Sequence, residues 1–105
     1  MIARALAARD VPRRGGRVFW PEARAELRKI LSYIRDLNPE VAIELFQSIE
    51  ASTTALLEHP YLYELGRVTR TREIVVHPNY LVIYQVTDRI EIVSVVHARQ
   101  EYPST

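Results

Sequence analysis

Residues 69–103 read TRTREIVVHPNYLVIYQVTDRIEIVSVVHARQEYP. Three apolar runs lie here, at residues 74–76, 81–86 and 90–96, and they are rich in Ile, Val and Tyr. Such residues suit a pleated, half-buried surface. His77-Pro78-Asn79 and Thr87-Asp88-Arg89 separate the runs, with the turn-favouring chemistry of Pro, Asn and Asp. Both connections are too short for a parallel crossover. The stretch therefore reads as a three-stranded antiparallel meander. In its last strand, Ile90, Ile92, Ser94 and Val96 are expected on one face, and Glu91, Val93, Val95 and His97 on the other. Apolar residues fall on both faces, so the second face is expected to be partly buried, under the C-terminal tail or a partner chain.

Upstream of the meander the period changes. Ala23, Leu27, Ile30, Leu31 and Ile34 recur at helical spacing after Pro21, which sits where a helix tolerates proline best. Leu37-Asn38-Pro39 breaks that helix, with Asn38 as the expected cap of a second one. In this second helix Ala42, Leu45, Phe46, Ile49, Thr53, Leu56 and Leu57 are expected on the buried side. It should end near Glu58, because Pro60 disfavours helix at the preceding residue. The short break makes the two helices an antiparallel hairpin. Residues 17–20 form a candidate short strand. The expected fold class is α+β, in the order β-α-α-β-β-β, with the hairpin covering one sheet face.

Composition narrows the function. A length of 105 residues is one domain, and its hydrophobic share of 48% is ample for one small core. We divide the chain into a flexible basic arm at residues 1–16 and a single domain at residues 17–105. The net charge of +1 hides an uneven layout. The arm is rich in Arg, the helical region is acidic on balance, and the sheet region leans basic. The chain has no cysteine, so neither disulfides nor a thiolate metal site are available to it. Three scattered histidines without close acids give no metal site, and no metal or cofactor is expected. Gly15-Gly16 lacks the rest of a phosphate loop. No apolar run approaches the roughly 20 residues of a membrane helix.

Several segments, in order and spacing, carry a family likeness. They are Trp20-Pro21-Glu22-Ala23, with Leu27, Ile30 and Tyr33; Asn38-Pro39; Leu56-Leu57-Glu58-His59-Pro60; and Gly66-Arg67-Val68. The most telling are residues 71–76, residues 80–86, and Val95-Val96-His97-Ala98-Arg99-Gln100. Together, from about Val18 to Pro103, the chain resembles the RelE/ParE superfamily of toxins from type II toxin–antitoxin systems, which includes plasmid-stabilisation proteins. The resemblance implies two helices packed on a curved antiparallel sheet. It also implies a cytoplasmic protein that arrests growth when free, and a cognate antitoxin that wraps and neutralises it. A homodimer or a toxin–antitoxin heterotetramer is the expected assembly, with no membrane partner.

The superfamily divides in mechanism. RelE-like members enter the ribosome and cut mRNA, whereas ParE-like members inhibit DNA gyrase. RNA cleavage without metal needs a base for the ribose 2′-hydroxyl, cations for the phosphorus centre and an acid for the leaving oxygen. By resemblance His97, Arg99 and Tyr102 take such roles, with Arg72 as a basic residue on the first meander strand. Arg67 and Arg70 are the candidate nucleic-acid contacts. Asn79-Tyr80 departs from the basic residue that many RNA-cleaving relatives carry there. Arg72 also has a structural alternative, a cross-sheet pairing with Glu91. The basic sheet region and the tail favour mRNA cleavage on the ribosome. The alternatives are a ParE-like gyrase inhibitor without catalysis and a degenerate antitoxin-binding module.

Overall fold

The computed structural model describes residues 16–99. The arm expected over residues 1–16 therefore lies, Gly16 apart, outside the described residues, and so does Tyr102. The elements run β1 (Arg17–Phe19), α1 (Pro21–Leu37), α2 (Pro39–Ala55), β2 (Arg72–His77), β3 (Tyr80–Val86) and β4 (Ile90–His97). The sheet order is β1-β4-β3-β2. The meander pairs are antiparallel, and β1 joins β4 in parallel. The expected α+β class and element order are both found.

The turn of chain between the helices forms as its residues dictate. Asn38 Oδ1 accepts the backbone N–H groups of Glu40 and Val41 at 3.1 and 3.3 Å, and Pro39 fills the first helical position. These bonds satisfy two donors that a helix start leaves without a partner. At the other end, α2 stops at Ala55, three residues before the expected Glu58. The chain there tightens into bonds from Leu56, Leu57 and Glu58 back to the residues three earlier. Such tightening is common where a helix runs out ahead of a proline. Leu56 is nevertheless fully buried.

The helices cover one sheet face. Ala23, Leu45, Ile49, Ile74, Val82, Tyr84, Ile90, Ile92 and Val95 form that core. Each fully buried Val, Leu or Ile side chain among them contributes about 1.5–3 kcal/mol by leaving water. β3 lies between β2 and β4, and its residues from Tyr80 to Tyr84 are all buried.

The alternation expected for β4 is corrected by a bulge. Ile83 faces Ser94, but the next residue, Tyr84, faces Ile92, so Val93 is the extra residue in β4. One extra residue reverses the face of everything beyond it. Val95 therefore joins Ile90 and Ile92 in the core under the helices, while Val96 joins Leu81 and Ile83 on the opposite face. His97, paired with Tyr80, is carried to the helix side as well. Period-2 counting could not show this, because Val93 is as good a strand former as its neighbours.

Two side chains compensate for the shortness of β1. Arg17 donates to Thr53 and makes a 2.7 Å ion pair with Glu50, which ties β1 to α2. Beyond Phe19 the edge of β4 has no strand beside it among the described residues, and Glu26 of α1 takes that place. Its carboxylate accepts the Val95 N–H at 3.0 Å and the Ser94 hydroxyl at 2.9 Å. An edge whose donors are covered in this way is a poor template for stray strands.

Glu91 collects three donors on the outer face: Gln85 Nε2 at 2.8 Å, Thr87 Oγ1 at 2.9 Å and Trp20 Nε1 at 3.1 Å. The Gln85 bond above all, then those from Thr87 and Trp20 and the charge of Arg89, hold its carboxyl below the ordinary value of 4.5, against an opposing effect of burial. A depressed carboxyl adds stability above its unfolded value and loses it as pH falls through the folded one. An acid titration below about pH 4.5 should therefore change the emission of Trp20, the sole tryptophan. Glu91→Gln should flatten that part of the curve. An unchanged curve in the variant would separate Glu91 from the effect.

Candidate functional site

The residues singled out for chemistry lie at two ends of the sheet. At one end, His77, Tyr80 and His97 stand side by side on three neighbouring strands. The His77 and Tyr80 rings are 5.8 Å apart, and Tyr80 meets His97 edge-on at 5.1 Å. Both imidazoles are used in the same way. His77 Nδ1 accepts the Asn79 N–H at 3.1 Å, and His97 Nδ1 accepts the Arg99 N–H at 3.0 Å. In the neutral ring the proton then resides on Nε2. Burial, reinforced by the nearby Tyr33 hydroxyl, raises the pKa of Tyr80. Tyr80 is therefore a neutral donor at ordinary pH. Arg99 is exposed just beyond β4.

At the other end are Arg67, Arg70 and Arg72. Arg72 Nη1 donates to the Tyr63 carbonyl at 2.6 Å, and its guanidinium lies 5.1 Å from the centre of the Tyr61 ring. It does not pair with Glu91, whose carboxylate accepts from Gln85, Thr87 and Trp20. Arg67 meets Glu73 through an ion pair at 3.2 Å and through its own backbone N–H at 3.0 Å. Gly66 permits this clamp, since a Cβ there would sit 2.8 Å from the Glu73 Cγ. Arg70 occupies a left-handed backbone position, φ 71°, at the exposed tip of the same loop. Arg67 and Arg72 hold the 61–71 connection against the edge of β2, where Glu73 N–H also bonds the Glu64 carbonyl at 3.3 Å.

The two ends are far apart on the scale of a phosphodiester. Arg72 pairs with Tyr84 on β3, and His97 pairs with Tyr80. Four residues of strand separate those partners, about 13 Å, and Arg72 and His97 also lie two strands apart. The structure thus places His97 and Arg99 near each other, and Arg67, Arg70 and Arg72 near each other, without joining the two sets. Tyr102 lies outside the described residues.

A third feature lies beside the helices. A groove of about 350 Å³ runs between the outer sides of α1 and α2, lined by Leu31, Arg35, Pro39, Ala42, Ile43, Phe46 and Gln47. Phe46 was expected in the core but is 44% exposed, and Ile43 is 55% exposed. The signal was present in α2. Val41, Ala42, Ile43, Leu45, Phe46 and Ile49 are too many apolar residues for a single buried stripe, so one group must face outward. Arg28 and Arg35 of α1 edge the α1 side of this surface, whereas α2 carries only acids among its charges.

Comparison with known proteins decides the kinship. The model of the ParE toxin of the type II toxin–antitoxin system, parDE, matches residues 18–102. The chain belongs to the ParE toxin family. It is 33% identical over 89 residues to Y4kP, a protein named as a toxin, from Sinorhizobium fredii (strain NBRC 101917 / NGR234). That alignment covers 83% of this chain and 93% of Y4kP. The fold matches a chain of the solved chromosomal ParDE TA system from P. aeruginosa with a TM-score of 0.66. There the identity is 19%, over 77% of this chain and 92% of the other. Membership of this toxin family implies a cognate antitoxin as partner.

The preference for RelE-like mRNA cleavage is corrected by the family match, which is to the ParE toxin model over residues 18–102. The basic sheet and the His-x-Arg ending of β4 favoured a nuclease because residue type alone was visible. Among the described residues no helix is long and apolar enough to cross a membrane.

Proposed function

We propose that this ParE-family chain is a growth-arresting toxin that acts in the cytoplasm by binding DNA gyrase, without catalysis, until its antitoxin neutralises it. The match to the ParE toxin model over residues 18–102 carries this reading. The separation of the cationic cluster from the imidazoles supports it, because a non-catalytic toxin needs no convergent acid, base and phosphate clamp. Arg67 and Arg72 already serve the loop that they hold.

The test is a supercoiling assay with purified gyrase beside a ribosome-programmed mRNA cleavage assay. Supercoiling should stop in the presence of the toxin, while the transcript stays intact. The double variant His97→Ala, Arg99→Ala should retain gyrase inhibition within about threefold, as expected for partly exposed side chains outside a catalytic centre. Cut mRNA with unaffected supercoiling would overturn the proposal.

The antitoxin's place on this reading is the groove between α1 and α2. Its apolar floor with a basic wall suits an amphipathic helix whose apolar stripe is flanked by carboxylates. Light scattering with and without co-expressed antitoxin measures whether the groove instead pairs two toxin chains. The same measurement gives the stoichiometry of the complex.

A further inference from the structure

Among the described residues β2 is an outermost strand of the sheet, and one stretch of its edge is open. The 61–66 loop covers the start of that edge. Leu65 bridges to Arg72, and Glu73 N–H bonds the Glu64 carbonyl at 3.3 Å. Glu73 N–H therefore points away from β3. Inward and outward groups alternate along an antiparallel pair, so the N–H and C=O of Val75 point outward as well. The loop has left the strand by that point, and no described residue bonds either group. Next comes Val76, an extra residue in the pairing, whose carbonyl is taken by Ser48 Oγ at 2.8 Å. A recess of about 380 Å³ lies against the open stretch, lined by Tyr63, Glu64, Leu65, Glu73 and Val75. Leu65 and Val75 are 72% and 69% exposed. The loop wall is fixed in place by the bonds of Arg72 to Tyr63, Arg67 to Glu73 and Tyr84 to Pro60.

We infer, on the reading of gyrase as the target, that the toxin grips it here: an extended segment of gyrase lies beside Val75 as an added strand, with an apolar side chain in the recess and a cation against Glu64. Backbone chemistry selects the conformation. Outward N–H and C=O groups on a strand edge are matched by another extended chain, and a pocket beside the edge takes one of its alternate side chains. Charge selects the source. Glu64 and Glu73 are the charged residues of the lining. Arg67 engages Glu73, which leaves the exposed Glu64 to face the incoming segment. An enzyme that handles DNA presents Lys and Arg, the residues that neutralise phosphates. The groove between α1 and α2, with its basic wall, suits an acidic helix instead. The two surfaces thus select partners of opposite charge. A second copy of this chain would bring its own 61–66 loop and Glu64 against the first, with like charges opposed.

Val75→Pro tests the edge. Proline is tolerated where the N–H of an edge strand faces solvent, so the pairing with β3 is retained while the outward donor is lost. Glu64→Lys tests the charge, leaves the backbone unaltered, and decides the matter if the proline variant fails to fold. Each variant should raise the toxin concentration that half-inhibits gyrase supercoiling by about tenfold or more. Affinity for the antitoxin should stay within about twofold of the unaltered chain. Amide exchange over residues 73–76 should slow in the gyrase complex. Inhibition that both variants retain in full would overturn the inference and leave gyrase as the target. An unaltered toxin without effect on supercoiling would overturn the gyrase reading and the inference together. A matching loss of antitoxin affinity in Glu64→Lys would assign the edge to the antitoxin. Self-association that either variant abolishes, measured by light scattering, would assign it to a second copy. Both of these results contradict the inference.

Discussion

Tyr84→Ala is expected to lower the unfolding free energy by about 3–5 kcal/mol, the cost usual for deleting a buried aromatic ring. Tyr84 is fully buried in the middle of the sheet, among the side chains beneath the helices. Its hydroxyl also donates to the Pro60 carbonyl at 2.9 Å, so the same side chain holds the loop that leaves α2. Domains of this kind have a total stability of about 5–15 kcal/mol. The variant should therefore melt about 15 °C lower or more, or fail to fold. Tyr84→Phe keeps the ring and should cost only about 1–2 kcal/mol, through the lost hydrogen bond. Denaturant melts of the two variants measure both numbers. A loss below about 1 kcal/mol for the alanine variant would contradict the packing described for β3.

The same residue has an alkaline signature. Burial above all pushes the Tyr84 hydroxyl up to about 12, from an ordinary value of 10.0. A group whose folded value is raised contributes stability that is fully present below its unfolded value. That contribution is lost as pH rises through the folded value. Between about pH 10 and 12 the unfolded chain has released the proton while the folded chain retains it. The slope there is about −1.4 kcal/mol per pH unit. Tyr84→Phe should remove this decline, as denaturant melts across that range would show.

Phe46→Glu should cost the antitoxin complex about 2 kcal/mol or more, a fall in affinity of about 30-fold or greater. The ring stands in the groove between the helices, half in water, so the free toxin has little packing to lose there. A carboxylate in its place would be stripped of water by any helix that fills the apolar floor. Growth should then remain arrested on co-expression with the antitoxin, while gyrase inhibition by the purified variant persists. Titration calorimetry gives the affinity directly. An unaltered affinity would place the antitoxin elsewhere on the toxin.

The fold was largely legible in the chain because local signals agreed with one another. Pro21, the Asn38-Pro39 cap and the two short turns set the element boundaries to within a few residues. β2 includes Arg72, as expected, and the 61–66 loop bonds to its outer edge, a contact between segments that no local pattern contains. The Val93 bulge was invisible for a related reason: it is a property of pairing with β3 and not of β4 alone. The candidate site was harder still. Arginine, histidine and tyrosine near the end of a basic sheet have the same letters whether they clamp a phosphate or a neighbouring carbonyl. Only the engagement of Arg72 with Tyr63 and of Arg67 with Glu73 distinguishes the two. The outward turn of Phe46 into the groove escaped notice because that residue fits a core stripe as well as a surface one.

The parallel pairing of Arg17 with Ile90 and of Phe19 with Ile92 has a bearing on biosynthesis. The first strand to leave the exit tunnel cannot settle beside its neighbour until the last strand has emerged. A nascent chain is thus an incomplete sheet until β4 has emerged and taken its place between β3 and β1. A truncated product that stops before β4 would lack both the central pairing and the seat for β1, and should be cleared by proteolysis instead of poisoning the cell. The native surface therefore forms in one step, when β4 joins both of its neighbours.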